Sequence, residues 1–390
     1  MAQRKTSERE IYYGEEGASE GIDPNAGGQP AGSNAIKVTN LMVSPDVALY
    51  ARSFLGHTGN VTGKIGAQTD PRLSFTVECR GGGSVITPKI DPLLKVVLGR
   101  DVGAFPQNYK QVDSATNVTV QAGSSQSVIN VSGGSFTAGN AVAIETGTAN
   151  EYEVGWISSF AANVITLTKP LLMTAPPATR KVKPSVTYRP MNSAHESLTF
   201  RVYLEPTTPT NRITFVGCKG NMKFDTPALG ATPTITFNWK AIGWRHETGG
   251  SHPSPTYDGA TPPSAYKFRV DGTDFTTKNA SWDLGQMIAR KRSQTSTFGT
   301  FAQLVTGRSV RGVFDAWDVD ESQFAAWTSG AEHEITHQFG KSEFNMVAYQ
   351  ISKAQRVDVG YSDDNNLTTD LVHFQGNISS GEDEVRLAFL

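Results

Sequence analysis

The sequence lacks the marks of a disulfide-rich, membrane-spanning or tightly nucleic-acid-binding protein. Two cysteines in 390 residues exclude a disulfide framework, and both lie in strand-like segments as small apolar side chains. No apolar run approaches the ~18 residues that a membrane helix needs, and residues 1–20 hold no apolar core of a signal peptide. A net charge of −2, from 35 basic and 37 acidic residues, does not favour tight binding of nucleic acid. We therefore expect no membrane insertion, and assembly in a reducing cytoplasm.

Alternation of apolar and polar residues dominates the rest of the pattern. It is strict in Leu198–Glu205 and Thr234–Ala241, which is typical of strands with one buried face. The polar faces of these two strands consist of Thr199, Arg201, Tyr203 and Glu205, and of Thr234, Thr236, Asn238 and Lys240. Shorter strand signals lie around 36–38, 47–54 and 73–79. With 38 glycines and 20 prolines to supply turns, the pattern predicts a mainly β protein.

Between the two alternating segments the phase of the pattern slips by one residue. Apolar residues occupy odd positions up to Phe215 and even positions from Val216 onward, which predicts a β-bulge at that step. The same slip recurs at Met346 and Val347. A slip is a less generic feature than alternation, so its recurrence predicts that the chain carries one β-unit twice.

Each unit contains one short predicted helix. Asp91 caps the first helix, which ends at Gly99, and Asp320 caps the second, Glu321–Ser329, which ends at Gly330. The residues predicted to face the core are Leu93, Leu94, Val97 and Leu98 in the first helix, and Phe324 and Trp327 in the second.

These patterns divide the chain into two tandem β-units, each built of strands, a short helix and further strands, and a small inserted β-barrel or sandwich. The insert interrupts only the first unit and has its own rhythm of short strands, so we expect it to fold separately and to project outward. The predicted parts are a flexible N-terminal arm at 1–35, a first β-unit at 36–102 and 185–244, the insert at 103–184, a linker at 245–263, and a second β-unit at 264–390.

One segment matches a catalytic signature. Residues 333–337 read His-Glu-Ile-Thr-His, the zinc-protease pattern H-E-x-x-H, which needs a helix to bring both histidines to one face. Gly330 has just ended a helix, two β-branched residues follow, and Glu343 stands where a third histidine is usual. We expect a strand with coincidental histidines, and no enzymatic activity, metal or cofactor. A zinc metalloprotease that uses His333, Glu334 and His337 is kept as an alternative.

Four stretches together resemble the tail tube proteins of long-tailed, non-contractile phages. They are Arg72–Glu78 before a glycine-rich turn, the helix at 91–99, residues 215–220 leading into 234–244, and the small β insert after the helix. The resemblance covers most of residues 36–390. It implies a β-sandwich flanked by a short helix, rings whose inner sheets join into a barrel, and stacked rings that form a tube for double-stranded DNA.

The resemblance also implies an oligomeric state and partners. Most members carry one unit and form hexameric rings, whereas a few carry two and form trimeric rings of pseudo-sixfold symmetry, and the duplication read here indicates the second kind. The implied partners are further copies of the chain, tail tip and tail terminator proteins, a tape measure protein in the lumen, and DNA in transit. The implied location is the virion tail. The double unit and the long N-terminal arm depart from the common pattern, so no contact is carried over residue by residue.

Ring stacking needs protruding segments. The candidates are the long loop at 56–70, its counterpart at 289–300, which carries three consecutive basic residues, and the N-terminal arm. The candidate stacking residues are Gly56, His57, Thr58, Asn60, Lys64, Arg290, Lys291 and Arg292. The basic triplet is also typical of a solvated loop tip. A surface-binding or adhesin-type virion protein with tandem β-domains is the second alternative function.

Overall fold

The computed structural model describes most of the chain. The described residues are 9–16, 20–26, 28–50, 65–82, 87–99, 110–114, 118–191, 195–205, 211–226, 232–249, 252–257, 259, 261–317, 321–364, 367–379 and 381–390. The protein is mainly β, with 54% strand and 6% helix, and its sheets are antiparallel, as the sequence predicts. Neither α-helix found in the described residues is long and apolar enough to cross a bilayer.

The strands in chain order are β1 Glu10–Glu15, β2 Ala35–Ile36, β3 Thr39–Ser44, β4 Val47–Tyr50, β5 Ile65–Thr69, β6 Arg72–Glu78, β7 Lys110–Val112, β8 Val128–Asn130, β9 Ala141–Glu145, β10 Tyr152–Ala161, β11 Val164–Leu167, β12 Val182–Lys183, β13 Val186–Tyr188 and β14 Leu198–Glu205. They continue with β15 Asn211–Thr226, β16 Thr234–Lys240, β17 Gly243–Thr248, β18 Ala265–Val270, β19 Thr273–Asp274, β20 Thr277–Asp283, β21 Met287–Arg292, β22 Thr300–Gly307, β23 Arg311–Ala316, β24 Glu332–Phe339, β25 Val347–Asp364, β26 Leu367–Gly376 and β27 Arg386–Phe389. The helices are α1 Asp91–Leu98 and α2 Glu321–Ser329.

The first unit has two layers that share one long strand. One layer has the order β3-β6-β16-β15, and the other has the order β1-β14-β15-β17. Strand β15 passes from one layer to the other at a bulge. Leu198 lies opposite Cys218, whereas Phe200 lies opposite Phe215. Between these two pairs β15 therefore contains one more residue than β14, which is a β-bulge. This confirms the bulge predicted from the phase slip.

A glycine at this bulge is required by the backbone. Gly217 has a φ of +64°, and a Cβ on it would lie 2.5 Å from the side chain of Ile242. The bulge therefore turns β15 out of one sheet and into the other.

The second unit repeats this strand order. Its layers are β20-β23-β26-β25 and β18-β24-β25-β27, and β25 passes between them as β15 does. His333 lies opposite Ala354 and Ile335 lies opposite Ile351, so the extra residue of β25 falls at 352–353. The predicted position, Met346 and Val347, was wrong. The residues before Val347 form a turn, and β25 begins at Val347. The apparent slip arose because apolar residues of the turn were counted as part of the strand.

The two units join edge to edge. Residues 223–226 of β15 pair with residues 280–283 of β20, so one layer of each unit merges into an eight-stranded sheet, β3-β6-β16-β15-β20-β23-β26-β25. A single apolar cluster continues under both halves of this sheet. The two halves are thereby held in one continuous core.

The helices lie where the sequence placed them, with two corrections. Asp91 is the first residue of α1 and Ile90 is its N-cap, and the Asp91 carboxylate accepts a hydrogen bond from the Tyr188 hydroxyl at 2.6 Å. Helix α2 packs less deeply than predicted. Phe324 is only half-buried, and Trp327 is 37% exposed.

The described residues of the N-terminal segment, 9–16, 20–26 and 28–35, are part of the fold, which corrects the prediction of a flexible arm for them. The rest of the predicted arm lies outside the described residues. Strand β1 pairs with residues 198–203 of β14, in the position that β18 holds beside β24. The Glu16 carboxylate accepts hydrogen bonds from the backbone N–H of Gly217 at 2.7 Å and from the Thr199 hydroxyl at 2.6 Å. Arg201 forms a buried ion pair with Asp23 at 2.6 Å. The polar face of β14 is therefore covered by the segment that precedes it.

The inserted stretch has its own five-stranded sheet, β12-β9-β10-β11-β8, and its own apolar core. Strand β7 is not part of it, because it pairs with β13, which in turn pairs with β27 of the second unit. The insert also packs on the second unit, through an apolar cluster of Ala141, Ala143, Tyr152, Val154, Trp156, Met346, Ala348, Ala388 and Leu390. The buried carboxylate of Glu153 binds Lys267 at 2.9 Å and also pairs with Arg269. The predicted linker at 245–263 is also shorter than expected, because its residues 245–248 belong to strand β17.

Candidate assembly interface

The eight-stranded sheet ends in two edges that could accept another strand. One edge is β3, and the other is the segment 358–364 of β25. Within the described ranges, no strand pairs with the outer side of either one. Large apolar side chains are exposed on both: Met42 is 70% exposed on β3 and Tyr361 is 65% exposed on β25. Unpaired strand edges with exposed apolar side chains are sites of edge-to-edge association.

The junction between the units shows how such edges meet in this chain. The Phe224 and Trp282 rings stack across it, with centroids 5.6 Å apart, and both side chains are buried. On the opposite face of the sheet, Asn221 donates a hydrogen bond to the Asp283 carboxylate at 2.7 Å. The contact thus combines an apolar pair on the core face with polar contacts on the outer face.

The outer face of the eight-stranded sheet is polar where β6 and β16 pair. Ser74 bonds to Asn238 at 2.9 Å, and the hydroxyls of Thr76 and Thr236 lie 3.0 Å apart. The intervening residues of β16 point the other way, into the core. Of the two polar faces predicted from sequence, the β16 face is accessible, whereas the β14 face lies under the N-terminal segment.

The basic triplet is in a strand rather than at a loop tip. Arg290, Lys291 and Arg292 end β21, which forms a hairpin with β22. The Arg290 guanidinium lies 2.5 Å from Asp70 and 3.2 Å from the carbonyl oxygen of Ala241, both in the first unit. Burial lowers the pKa of Arg290. Lys291 and Arg292 are exposed.

A matching hairpin exists in the first unit. Strands β4 and β5 form a hairpin that connects β3 to β6 along the chain, just as β21 and β22 form a hairpin that connects β20 to β23. Part of the loop predicted at 56–70 is therefore strand β5. The other stacking candidates, Gly56, His57, Thr58, Asn60 and Lys64, lie outside the described residues.

The H-E-x-x-H segment is strand β24, as predicted. The His337 ring is buried against Phe339, with centroids 4.0 Å apart, and burial lowers its pKa to about 3. His333 lies at the surface, where its Nδ1 contacts Asp271 at 2.6 Å. In the part of the chain that the structure describes, no group of three or more His, Cys, Asp or Glu side chains is arranged to hold a metal ion. The helical geometry that this motif needs for zinc is not present at these residues.

Sequence reasoning missed β3, one of the two open edges. Strand signals were read on either side of it, but not over Thr39–Ser44. The available signal was Leu41 and Val43, which are half-buried and alternate with exposed residues. Asn40 has a positive φ of +53°, which interrupts the regular strand. Only residues 41–44 therefore show the apolar–polar alternation, which is too short to stand out in the sequence.

A scan against protein-family models and a search of curated proteins find no match to this chain. Its function is therefore inferred from the geometry of the edges and faces described above.

Proposed function

We propose that this chain is a structural virion protein that polymerises as stacked rings into a phage tail tube, the conduit for double-stranded DNA. The observation that carries the proposal is the head-to-tail joint within the chain. The first unit offers the edge of β15 and the second receives it on β20. The same two kinds of edge, β3 and the end of β25, have no strand paired to them in the part of the chain that the structure describes.

Ring closure follows from repeating that joint. A heterologous contact generates a closed ring when its rotation closes, and an open helix when it does not. Because each chain already holds two units in this relation, three chains supply six units. This matches the pseudo-sixfold trimers that the resemblance implies.

The polar outer face of the eight-stranded sheet would line the lumen of such a ring. It carries hydroxyl and amide ladders together with charges of both signs, such as Arg72, Lys223 and Asp225. A mixed face holds phosphates weakly, and weak contacts suit passage of DNA because tight ones would stall it. Before ejection the same lumen would hold the tape measure protein.

The other layer would form the outer wall of the tube. The insert docks on that layer, through Gln338 of β24 and Ala388 of β27. It would therefore stand on the outside of the tube and leave the lumen open. Tail tip and terminator proteins would contact the two ends of the stack, and assembly would take place in the host cytoplasm.

Sedimentation and negative-stain imaging of the purified protein test this proposal. The wild-type chain should form rings and tubes as its concentration rises. Tyr361→Lys places a charge on the open β25 edge. It should raise the protein concentration at which rings first form by at least about tenfold. Val128→Lys, an exposed position on the insert, is the matched control and should assemble as the wild type does. Equal assembly of both variants, or none by the wild type, contradicts the proposal.

A further inference from the structure

We propose that each ring contact is an antiparallel pairing between residues 360–362 of one copy and β3 of the next, in one defined register. In that register Gly360 lies opposite Ser44, Tyr361 lies opposite Val43, and Ser362 lies opposite Met42. The proposal rests on the proposed function, because it assumes that a second copy of the chain is what covers these edges.

The register comes from tracing equivalent residues through both units, starting on the long strands. Phe224 lies opposite Ile235 on β16, and Tyr361 lies opposite Asp370 on β26. Ile235 in turn lies opposite Val77 of β6, and Asp370 lies opposite Ala316 of β23. The bulges align the two units, because Cys218 opposite Leu198 and Ala354 opposite His333 are the first paired residues after them. Phe224 lies six residues beyond Cys218. Tyr361 lies seven residues beyond Ala354, because β25 has one further extra residue between Arg356 and Asp358, so Tyr361 occupies the place of Phe224.

The same trace fixes the other side of the contact. Val43 lies opposite Leu73 of β6, and Trp282 lies opposite Gly312 of β23. Leu73 pairs onward with Trp239, and Gly312 pairs onward with Phe374, its counterpart on β26. Val43 therefore occupies the place of Trp282.

The β15–β20 joint inside the chain is the template for the pairing between copies. Phe224 lies opposite Trp282 there, with Lys223 opposite Asp283 and Asp225 opposite Ser281. Replacing each residue by its equivalent places Tyr361 opposite Val43. Its neighbours Gly360 and Ser362 then fall opposite Ser44 and Met42.

The side chains at the open edges agree with this register. Val43 packs in part against the core, and the Tyr361 ring lies 5.6 Å from that of Phe324 on the core side. Both would therefore meet on the core face, as Phe224 and Trp282 do. A Cβ built on Gly360 meets nothing within 4 Å, so a side chain can be placed at that position without a clash.

The composition of the two edges also favours a partner. Proteins that stay monomeric commonly protect edge strands with charged residues or proline. The residues paired in this register, Leu-Met-Val-Ser at 41–44 and Gly-Tyr-Ser at 360–362, carry no charge and no proline, and the charges of the β25 edge lie on either side of them, at Asp358, Asp363 and Asp364. Strand addition of a second copy covers Met42 and Tyr361 and satisfies the backbone groups of both edges.

Cysteine cross-linking tests the register. Residues directly opposite in an antiparallel pair have Cβ atoms about 4.5–5.5 Å apart, close enough for a disulfide after small shifts, whereas pairs two residues out of register are about 7–8 Å apart. The matched variants are Met42→Cys/Ser362→Cys and Ser44→Cys/Gly360→Cys. The mismatched control is Ser44→Cys/Ser362→Cys. The native Cys79 and Cys218 are buried and give little background.

Under mild oxidation of assembled protein, both matched variants should give disulfide-linked dimers and trimers on denaturing gels. Their yield should exceed that of the mismatched variant by about tenfold. Wild-type rings combined with cross-links in the mismatched variant, or with none in the matched variants, overturn the register and leave the proposed function standing. A wild-type chain that forms no rings under any condition overturns the proposed function, and this contact with it.

Discussion

The indole of Trp282 and the ring of Phe224 stack with their planes 1° apart, although the two residues belong to different units. Both side chains are buried, at 1% and 0% exposure. Tyr349, on β25 of the second unit, packs its ring 5.2 Å from Phe224. The joint between the units is therefore a packed core, and the two units should unfold together.

Removing Phe224 tests the joint. Phe224→Ala should lower the free energy of unfolding by about 3–5 kcal/mol, the usual loss for a buried aromatic residue. Tyr361→Ala is the matched control, because it alters the equivalent residue at an open edge. It should change the stability of the monomer by less than about 0.5 kcal/mol while weakening assembly. Chemical denaturation measures the free energy of unfolding of both variants. An equal decrease in the two would contradict the burial of Phe224 in the joint and the exposure of Tyr361 at an open edge.

The buried ion pair of the N-terminal segment gives a second prediction. Asp23→Ala leaves the Arg201 guanidinium buried without its carboxylate, which should cost about 2–4 kcal/mol or release the segment from β14. Limited proteolysis should then cleave the segment faster than in the wild type. The control is Glu15→Ala, which removes a carboxylate that is 43% exposed from its pair with Lys95 and should cost at most ~1 kcal/mol. Unchanged proteolysis of Asp23→Ala would contradict the role of the segment as a fixed part of the fold.

Docking of the insert depends on Glu153. Glu153→Ala leaves Lys267 and Arg269 without their buried partner and should destabilise the chain by about 2–4 kcal/mol. Glu151→Ala removes a nearby pair with Lys341, whose side chain is 55% exposed, and should cost at most ~1 kcal/mol. Thermal unfolding followed by calorimetry measures both losses. Equal losses would mean that Glu153 does not anchor the insert.

Asp113 predicts a pH dependence. Burial raises its pKa to about 6, even though its Oδ1 accepts hydrogen bonds from the Asn140 amide at 2.8 Å and the Thr137 N–H at 3.1 Å. Between the unfolded pKa of about 4 and the folded pKa, the folded state binds more protons, so this group costs stability above pH 6 and the cost disappears as the pH falls toward 4. Asp113→Asn should therefore stabilise the chain by about 1–3 kcal/mol at pH 8 and by almost nothing at pH 4. A gain that is equal at both pH values would contradict this origin.

The sequence predicted the parts of the fold that depend on local pattern. The bulge beside Phe215 and the extents of both helices follow from alternation, proline and glycine, and the structure has them there, except that α1 begins one residue earlier, at Asp91. The predicted cap of the second helix, Asp320, lies outside the described residues. The segment that matches a zinc-protease motif was predicted to be a strand because Ile335 and Thr336 are β-branched, and it is strand β24.

Features that depend on distant contacts were not predictable in this way. Residues 1–35 are charged and rich in glycine, and nothing local shows that Asp23 would meet Arg201 or that Glu16 would cap the bulge. The second bulge was misplaced because its pairing partners, not its own apolar pattern, determine where the extra residue falls. The basic triplet was read as a loop tip because its partner Asp70 lies in another part of the chain.

Electron microscopy of concentrated, purified protein tests the central claim most directly. Two units per chain, joined by the β15–β20 pairing and open at β3 and at the end of β25, predict rings with threefold symmetry and six similar lobes. These rings should stack into a hollow tube wide enough for duplex DNA. Rings built from six whole chains, or the absence of any tube across concentrations and salt conditions, would contradict the account.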